Sequence, residues 1–241
     1  MSLALKLALG PLLVAQAVHT RRRLPRLPEA DGPREGVTGH GRPLSLLVLG
    51  DSSAAGVGVR TQDEALAARL ATALSERVWR RVAWRLQARS GITTAQALAL
   101  LREQSLQPAA VAVVVTGVND VIEQVPPRRA VEARAALRQM LRDEFGVRHL
   151  VLTPLPPMHR FAGLPQPLRW MAGRDAAAHD RALARWAERH ADVSHLALDL
   201  PLDATLLARD GFHPGPQVYR AWGEALADHI ARQVLPRIES H

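Results

Sequence analysis

Short apolar runs separated by longer amphipathic segments repeat along most of the chain. Five runs are short, largely apolar and often β-branched, as expected of central strands in a parallel sheet: residues 44–49, 82–88, 110–115, 149–153 and 195–198. Longer segments with helical spacing alternate with these runs. The sequence therefore predicts an α/β fold, a three-layer α/β/α sandwich with a central, mostly parallel five-stranded sheet.

The intervening segments carry helix boundary signals. Thr61 and Glu64 form a predicted capping box ahead of an apolar stripe at residues 66, 70 and 74. Another segment begins with Pro127 and is followed by Gly146, as helices often are. The predicted helices cover residues 61–77, 127–145, 175–190 and 218–234.

The first 43 residues differ from the rest of the chain. Residues 3–18 are apolar apart from Lys6, Gln16 and a Gly-Pro pair, and three arginines follow at 21–23. Residues 24–43 are rich in proline and glycine, which indicates a linker or irregular lead-in. We predict an apolar segment with a Pro/Gly-rich linker over residues 1–43 and one folded domain over residues 44–241.

The apolar N-terminal segment is short for a membrane span, which needs about 20 apolar residues, and Pro11 would kink a helix there. Arginines after the apolar run favour a cytoplasmic location for the rest of the chain. We expect a cytoplasmic protein with peripheral contact of residues 1–23 to the inner face of the membrane. Packing of the segment on the domain is the alternative, and secretion is less favoured.

Composition removes several classes of function. The chain has no cysteine, which excludes disulfides, thiolate metal sites and a cysteine nucleophile. The formal net charge is +8, but the basic residues are almost all arginines scattered among Glu and Asp. Because no nucleic-acid-binding motif accompanies this charge, no nucleic-acid partner is expected. No His-Glu-x-x-His or similar ligand cluster occurs in the sequence, so neither a metal nor another cofactor is expected.

Chemistry-bearing residues follow the predicted strands, and in open parallel sheets sites gather at the carboxyl ends of strands. Gly-Asp-Ser stands at 50–52, Thr-Gly-Val-Asn-Asp at 116–120 and Asp-Gly-Phe-His-Pro at 210–214. Each motif alone is common in turns. An Asp three residues before a His can place its carboxylate against one ring nitrogen, which leaves the other nitrogen free to take a proton from a hydroxyl.

Together with Gly91, these motifs resemble the four sequence blocks of the SGNH hydrolase family, also called GDSL-like lipases and esterases. The blocks occur in the family order, and the resemblance covers about residues 44–234. It departs from the family in the glycine block, where Arg89 and Ser90 replace the residues more often seen. A flavodoxin-like α/β/α fold is implied. The absence of a Gly-x-Ser-x-Gly elbow argues against the α/β-hydrolase fold.

The resemblance implies a serine hydrolase with Ser52 as nucleophile, His213 as general base and then acid, and Asp210 as the group that orients the imidazole. The oxyanion hole would comprise the backbone amides of Ser52 and Gly91 and the side-chain amide of Asn119. Two acidic residues within the motifs, Asp51 and Asp120, are expected to fix turns.

A proline-rich insert at residues 154–170 follows a predicted strand and contains Met158, Phe161 and Leu164. It is expected to overhang the Ser52 edge and to form an apolar acyl pocket, unless these residues only anchor a loop. The expected substrate is a small-molecule or lipid-like carboxylic ester. A thioester, an acetylated carbohydrate and a non-catalytic, membrane-tethered binding role stay open, as does the oligomeric state.

Overall fold

The computed structural model describes residues 3–23, 25–104, 107–161, 163–196, 198 and 205–240. Within this part of the chain six strands form one sheet: β1 (Glu35–Thr38), β2 (Pro43–Gly50), β3 (Arg81–Ala88), β4 (Val111–Val115), β5 (His149–Leu152) and β6 (Val193–His195). Their order is β1-β3-β2-β4-β5-β6. All neighbours are parallel except β1 and β3. The predicted mostly parallel sheet is confirmed.

The five predicted strands correspond to β2–β6, with ends that differ by up to a few residues. The last one starts earlier, at Val193, and residue 197 of the predicted run lies outside the described residues. The sixth strand, β1, lies in the lead-in that the sequence predicts to be a linker. This strand has four residues and pairs with a single neighbour, β3. Its alternation of apolar and polar residues is too short to predict a strand from the sequence. The division between residues 43 and 44 stays a prediction.

The helices are α1 (Leu3–Arg23), α2 (Leu66–Val78), α3 (Thr94–Arg102), α4 (Val118–Ile122), α5 (Pro127–Phe145), α6 (Leu168–Ala187), α7 (Pro216–His229) and α8 (Leu235–Glu239). A π-helical turn, Ile230–Val234, joins the last two. The predicted capping box before α2 is wrong, because Gln62–Glu64 form a 3-10 turn and Glu64 accepts from the backbone N–H of Arg60 instead. A capping box does occur before α3, between Thr93 and Gln96.

Two hydrophobic clusters lie on opposite faces of the sheet. Along β2, Leu46 and Val48 belong to one cluster and Leu47 and Leu49 to the other, as the alternation of side chains in a strand requires. The first cluster includes buried residues of α2 and α7, and the second includes buried residues of α3, α5 and α6. The sheet is therefore the middle layer of three, as predicted.

Helix α1 contacts the start of α6. Gln16 Nε2 donates to the carbonyl of Gln166 (2.6 Å), and Gln16 Oε1 accepts from the N–H of Leu168 (3.2 Å). Apolar side chains elsewhere on α1, such as Val14, are exposed. Among the described residues no helix is both long enough and apolar enough to cross a membrane. Contact of residues 1–23 with a membrane surface stays a prediction.

Three polar side chains form a chain between β5, β6 and the end of α7, away from the ends of the strands that carry the motifs. Ser194 Oγ lies 3.1 Å from His149 Nε2 and 2.7 Å from His229 Nε2. Burial lowers the pKa of His149 to about 4, and the charge of Arg237 adds to this effect. Burial also lowers the pKa of His229. Both rings are therefore neutral in the folded protein near pH 7.

The free energy of unfolding is expected to fall as the pH drops from about 6.5 toward 4. In this window the unfolded chain protonates His149 at its ordinary pKa of 6.5, whereas the folded protein resists protonation down to about 4. The contribution of neutral His149 to the free energy of unfolding is complete above pH 6.5, the pKa in the unfolded chain. It is lost as the pH falls toward 4, and the loss is on the order of 3 kcal/mol. Urea unfolding across this pH range measures the slope. A His149→Gln variant with an undiminished slope would contradict the assignment.

Candidate active site

The site lies in the crevice where the strand order reverses, outside the carboxyl ends of β2 and β4. The turn after β2 carries Ser52, and the segment after β4 leads into α4 with Asn119. Gly50 permits the close approach of the two strands, because a Cβ there would lie 2.3 Å from the carbonyl oxygen of Val115. The N–H of Asp51 then donates to the same oxygen (3.0 Å). The nucleophile motif is thus fixed against the end of β4.

The structure brings together Ser52, His213 and Asp210, which are separated by up to 161 residues in the sequence. His213 Nε2 lies 3.0 Å from Ser52 Oγ, and His213 Nδ1 lies 2.6 Å from Asp210 Oδ2. Both distances are those of good hydrogen bonds. The three groups therefore form a continuous chain from a hydroxyl through an imidazole to a carboxylate.

The carboxylate of Asp210 is held in its ionised form. Burial raises its pKa, but hydrogen bonds from the ring and backbone N–H of His213 and from the N–H of Phe212 outweigh this effect and lower it. The two backbone bonds to Oδ1 are both 3.0 Å long. An anion at this position makes Nδ1 the protonated nitrogen, so Nε2 is the one that can accept the proton of Ser52.

The amide of Asn119 lies between the glycine block and the nucleophile turn. Its Nδ2 donates to the carbonyl of Ile92 at 3.1 Å and to Asp51 Oδ2 at 3.4 Å. The second bond is long and weak, so that N–H is available to a better acceptor. Within the described residues, the backbone N–H groups of Ser52 and Gly91 have no protein acceptor. Of the three predicted oxyanion donors, the two backbone N–H groups are thus without an acceptor among the described residues, and Asn119 Nδ2 has one weak bond that a better acceptor could replace.

Asp51 is buried and fixes the nucleophile turn, as expected from sequence. Its Oδ1 accepts the N–H of Ser53 at 3.1 Å. Burial raises the pKa of Asp51 to about 7, although this hydrogen bond and the charges of His213 and Arg134 act in the opposite direction. Near neutral pH the side chain therefore carries a reduced negative charge beside Ser52.

A buried polar network supports the glycine block and the Gly-x-Asn-Asp block from behind. Asp120 accepts from the N–H (3.0 Å) and the hydroxyl (2.5 Å) of Thr94, which follows the glycine block. Arg134 from α5 pairs with Asp120 (3.5 Å) and donates to the carbonyl of Thr116 (2.8 Å). The Asp120 and Arg134 side chains are only 2% and 3% exposed. The network therefore couples the two blocks that would supply Gly91 and Asn119.

An apolar cavity of about 90 Å³ opens beside Ser52. The three insert residues predicted to form a pocket, Met158, Phe161 and Leu164, are all buried in the core cluster on the α5 and α6 side of the sheet, and of these only Phe161 also lines the cavity. Further apolar side chains in the lining include Val118, Leu155, Pro156, Pro157, Leu198, Phe212, Val218 and Trp222, and Ser53, Thr116 and Thr153 add polar groups.

Several of these lining residues were not singled out from the sequence, although a signal existed for some. Leu155 comes shortly after β5, at the sheet edge where sites gather. Phe212 stands inside the Asp-x-x-His block. Its ring centroid lies 4.9 Å from that of Phe161, with the rings tilted by 59°, and 5.1 Å from that of His213 in an edge-to-face arrangement. Trp222 on α7 has no such signal, since a tryptophan on a helix face is usually a core residue.

Comparison with protein-family models matches residues 48–221 to the GDSL-like Lipase/Acylhydrolase family. Among curated proteins none matches. The similar solved structures include the lipase Lip_vut3 from a goat rumen metagenome, with a TM-score of 0.63 at 19% identity over 77% of this chain and 96% of that one. TesA has a TM-score of 0.58 at 23% identity, over 77% and 97% of the two chains.

A third similar structure is the psychrotrophic esterase EstA from Pseudoalteromonas sp., inhibited by monoethylphosphonate. Its TM-score is 0.57 at 19% identity, over 79% of this chain and 98% of that one. At such identities the structural likeness supports the fold, while the family match extends over most of the chain and contains all four motifs. This chain therefore belongs to the GDSL-like lipase/acylhydrolase family and is a serine hydrolase of ester bonds.

Proposed function

We propose that the protein hydrolyses carboxylic esters with apolar acyl groups through an acyl-enzyme on Ser52. The observation that carries this proposal is the hydrogen-bonded chain of Ser52, His213 and Asp210 at the mouth of an apolar cavity. Such a chain activates a hydroxyl that is otherwise a weak nucleophile.

In the first half of the reaction, Ser52 Oγ attacks the ester carbonyl carbon while His213 Nε2 takes the hydroxyl proton. The carbonyl oxygen becomes an oxyanion, which accepts hydrogen bonds from the N–H groups of Ser52 and Gly91 and from Asn119 Nδ2. The intermediate then breaks its bond to the alcohol oxygen. His213 returns the proton to that oxygen, so a neutral alcohol leaves and the acyl group stays on Ser52.

In the second half, His213 takes a proton from water, and the resulting hydroxide equivalent attacks the acyl carbon. The bond to Ser52 Oγ breaks, the proton returns to Ser52, and a carboxylic acid is released. Asp210 stays ionised throughout and stabilises the imidazolium that forms twice in the cycle. The similar esterase EstA is inhibited by a phosphonate, and the same class of inhibitor would react at Ser52.

The cavity favours an acyl chain of short to medium length. Its walls are mainly apolar and aromatic, which suits hydrocarbon better than a sugar ring. With a volume of about 90 Å³ the cavity can enclose a short to medium run of methylenes, on the order of six carbons, whereas a palmitoyl chain would have to extend into solvent.

For p-nitrophenyl esters, kcat/KM is therefore expected to rise from acetate to about hexanoate and to fall toward palmitate, because each buried methylene adds about 0.8 kcal/mol until the cavity is full. Phe161→Ala lengthens the cavity and should shift the optimum to longer chains. Trp170→Ala is the matched control in the same insert, since Trp170 is partly exposed and is not among the lining residues.

A flat chain-length profile that Phe161→Ala leaves unchanged would argue that the cavity does not bind the acyl group. Faster hydrolysis of matched thioesters than of esters would favour the thioesterase alternative. Activity confined to acetyl esters of carbohydrates would favour the deacetylase alternative, with the cavity outside the binding site.

A further inference from the structure

The loop of the glycine block has little packing of its own around Gly91. The backbone of Gly91 has a φ of +80°, and no atom lies within 4 Å of the position that a Cβ would occupy. Glycine adopts positive and negative φ about equally well, so in open surroundings the hydrogen bonds of the neighbouring peptides decide which φ is kept. The direction of the Gly91 N–H therefore depends on the contacts of the residues just before it.

One of those contacts comes from the N-terminal lead-in. Glu29 Oε1 accepts the backbone N–H of Ser90 at 2.6 Å, across 61 positions of sequence. On its other side the loop is tied to the end of β2, since Arg89 N–H donates to the carbonyl of Gly50 at 3.2 Å. The two peptides that precede the Ser90–Gly91 peptide are thus both held by hydrogen bonds.

Arg34 completes a clamp with Glu29. Its Nη2 pairs with Glu29 Oε2, and its Nη1 donates to the carbonyl of Ala88, the last residue of β3, at 2.5 Å. Burial raises the pKa of Glu29, but the hydrogen bonds from Ser90 and the charge of Arg34 outweigh it and lower that pKa. The carboxylate therefore stays ionised, and Arg34 offsets its negative charge near the place where an oxyanion would form.

The same lead-in is fixed to the nucleophile turn. The N–H of Ala30 donates to the carbonyl of Ala55 at 3.1 Å. Gln62 Nε2 donates to the carbonyls of both residues, at 3.0 Å to Ala30 and 3.1 Å to Ala55. Glu29 thus sits on a segment attached to the turn that carries Ser52, and it holds the loop that carries Gly91.

We propose that Glu29 is a positioning residue for the oxyanion hole, which sets the Gly91 N–H relative to Ser52 by holding the Ser90 N–H. The inference rests on the proposed function of Ser52 and Gly91. Glu29 lies before the residues 48–221 that match the family, so nothing in the family match assigns it a role.

The test compares Glu29→Ala with Glu29→Gln in steady-state ester hydrolysis. Glu29→Ala removes the acceptor and is expected to lower kcat about 10-fold to 100-fold with little change in KM, since loss of an oxyanion donor itself costs about 100-fold to 1000-fold. Glu29→Gln keeps an acceptor oxygen for Ser90 and should retain kcat within about 5-fold of wild type. Glu35→Ala, an exposed carboxylate on β1, is the matched control and should leave kcat unchanged.

Thermal unfolding of each variant separates positioning from folding. A loss of kcat in Glu29→Ala that Glu29→Gln restores, with both variants folded at the assay temperature, supports the proposal. An unchanged kcat in Glu29→Ala overturns it, as does an equal loss in both variants that follows their melting temperatures. If wild type itself hydrolyses no ester and takes up no fluorophosphonate, the proposed function fails first and this inference fails with it.

Discussion

Replacing Ser52 with Ala is expected to lower kcat for ester hydrolysis by roughly four to six orders of magnitude, because a triad without its nucleophile loses nearly all of its catalytic effect. Ser52 Oγ is the hydroxyl that lies 3.0 Å from His213 Nε2. The variant should also lose labelling by a fluorophosphonate, which mass spectrometry would locate on the Ser52 peptide in wild type. The labelling shows which side chain is the nucleophile, and the kinetics show whether turnover depends on it.

Ser53→Ala is the matched control. Ser53 is the adjacent residue with the same side chain; it lines the same cavity and donates its backbone N–H to Asp51, but its hydroxyl makes no hydrogen bond to His213 among the described contacts. Since alanine keeps that N–H, the control should stay within a few fold of wild type. Equal losses in both variants, or labelling that survives in Ser52→Ala, would remove Ser52 from the proposed mechanism.

Replacing Arg134 with Met is expected to lower the free energy of unfolding by about 3–5 kcal/mol, since removing one partner of a buried ion pair leaves an uncompensated charge in the core. The charge left behind is the carboxylate of Asp120, 2% exposed in its side chain. The variant also strips the carbonyl of Thr116 of its donor. Urea unfolding monitored by circular dichroism measures the loss.

Arg129→Met on the same helix is the control, because its side chain is 76% exposed and its ion pair with Glu132 contributes little. Pairing Arg134→Met with Asp120→Asn should cost less than the sum of the two single changes, as expected for groups in one network. A loss no larger than that of Arg129→Met would show that Arg134 does not stabilise the core.

Local patterns were enough to predict five of the six strands of the described sheet and the three chemical motifs. The strands β2 and β4 are apolar on both faces, which predicts central strands. The residues that follow them therefore lie at the carboxyl edge of the sheet. Likewise, His213 and Asp210 lie three residues apart, so their contact is settled within one turn. These features depend on interactions between residues that are close in the sequence, so the sequence alone is enough to predict them.

Features made by distant segments could not be predicted. Glu29 meets Ser90 only because β1 runs along β3, and no local signal in the lead-in indicates that pairing. In the proline-rich insert, no periodicity tells which apolar residue faces the cavity and which faces the core. The sequence therefore predicts the same pocket role for Phe161 and Met158, although only Phe161 lines the cavity.

The strand β1 also protects the sheet from unwanted pairing. It pairs with residues 82–85 of the eight-residue β3, whose backbone N–H and C=O groups there would otherwise face solvent as a template for another chain. A polypeptide trimmed to begin at Pro43, the first residue of β2, would keep the central strand but lack both β1 and Glu29. Self-association of such a fragment, together with weak turnover, would then reflect the missing edge rather than a defect in the hydrolase itself.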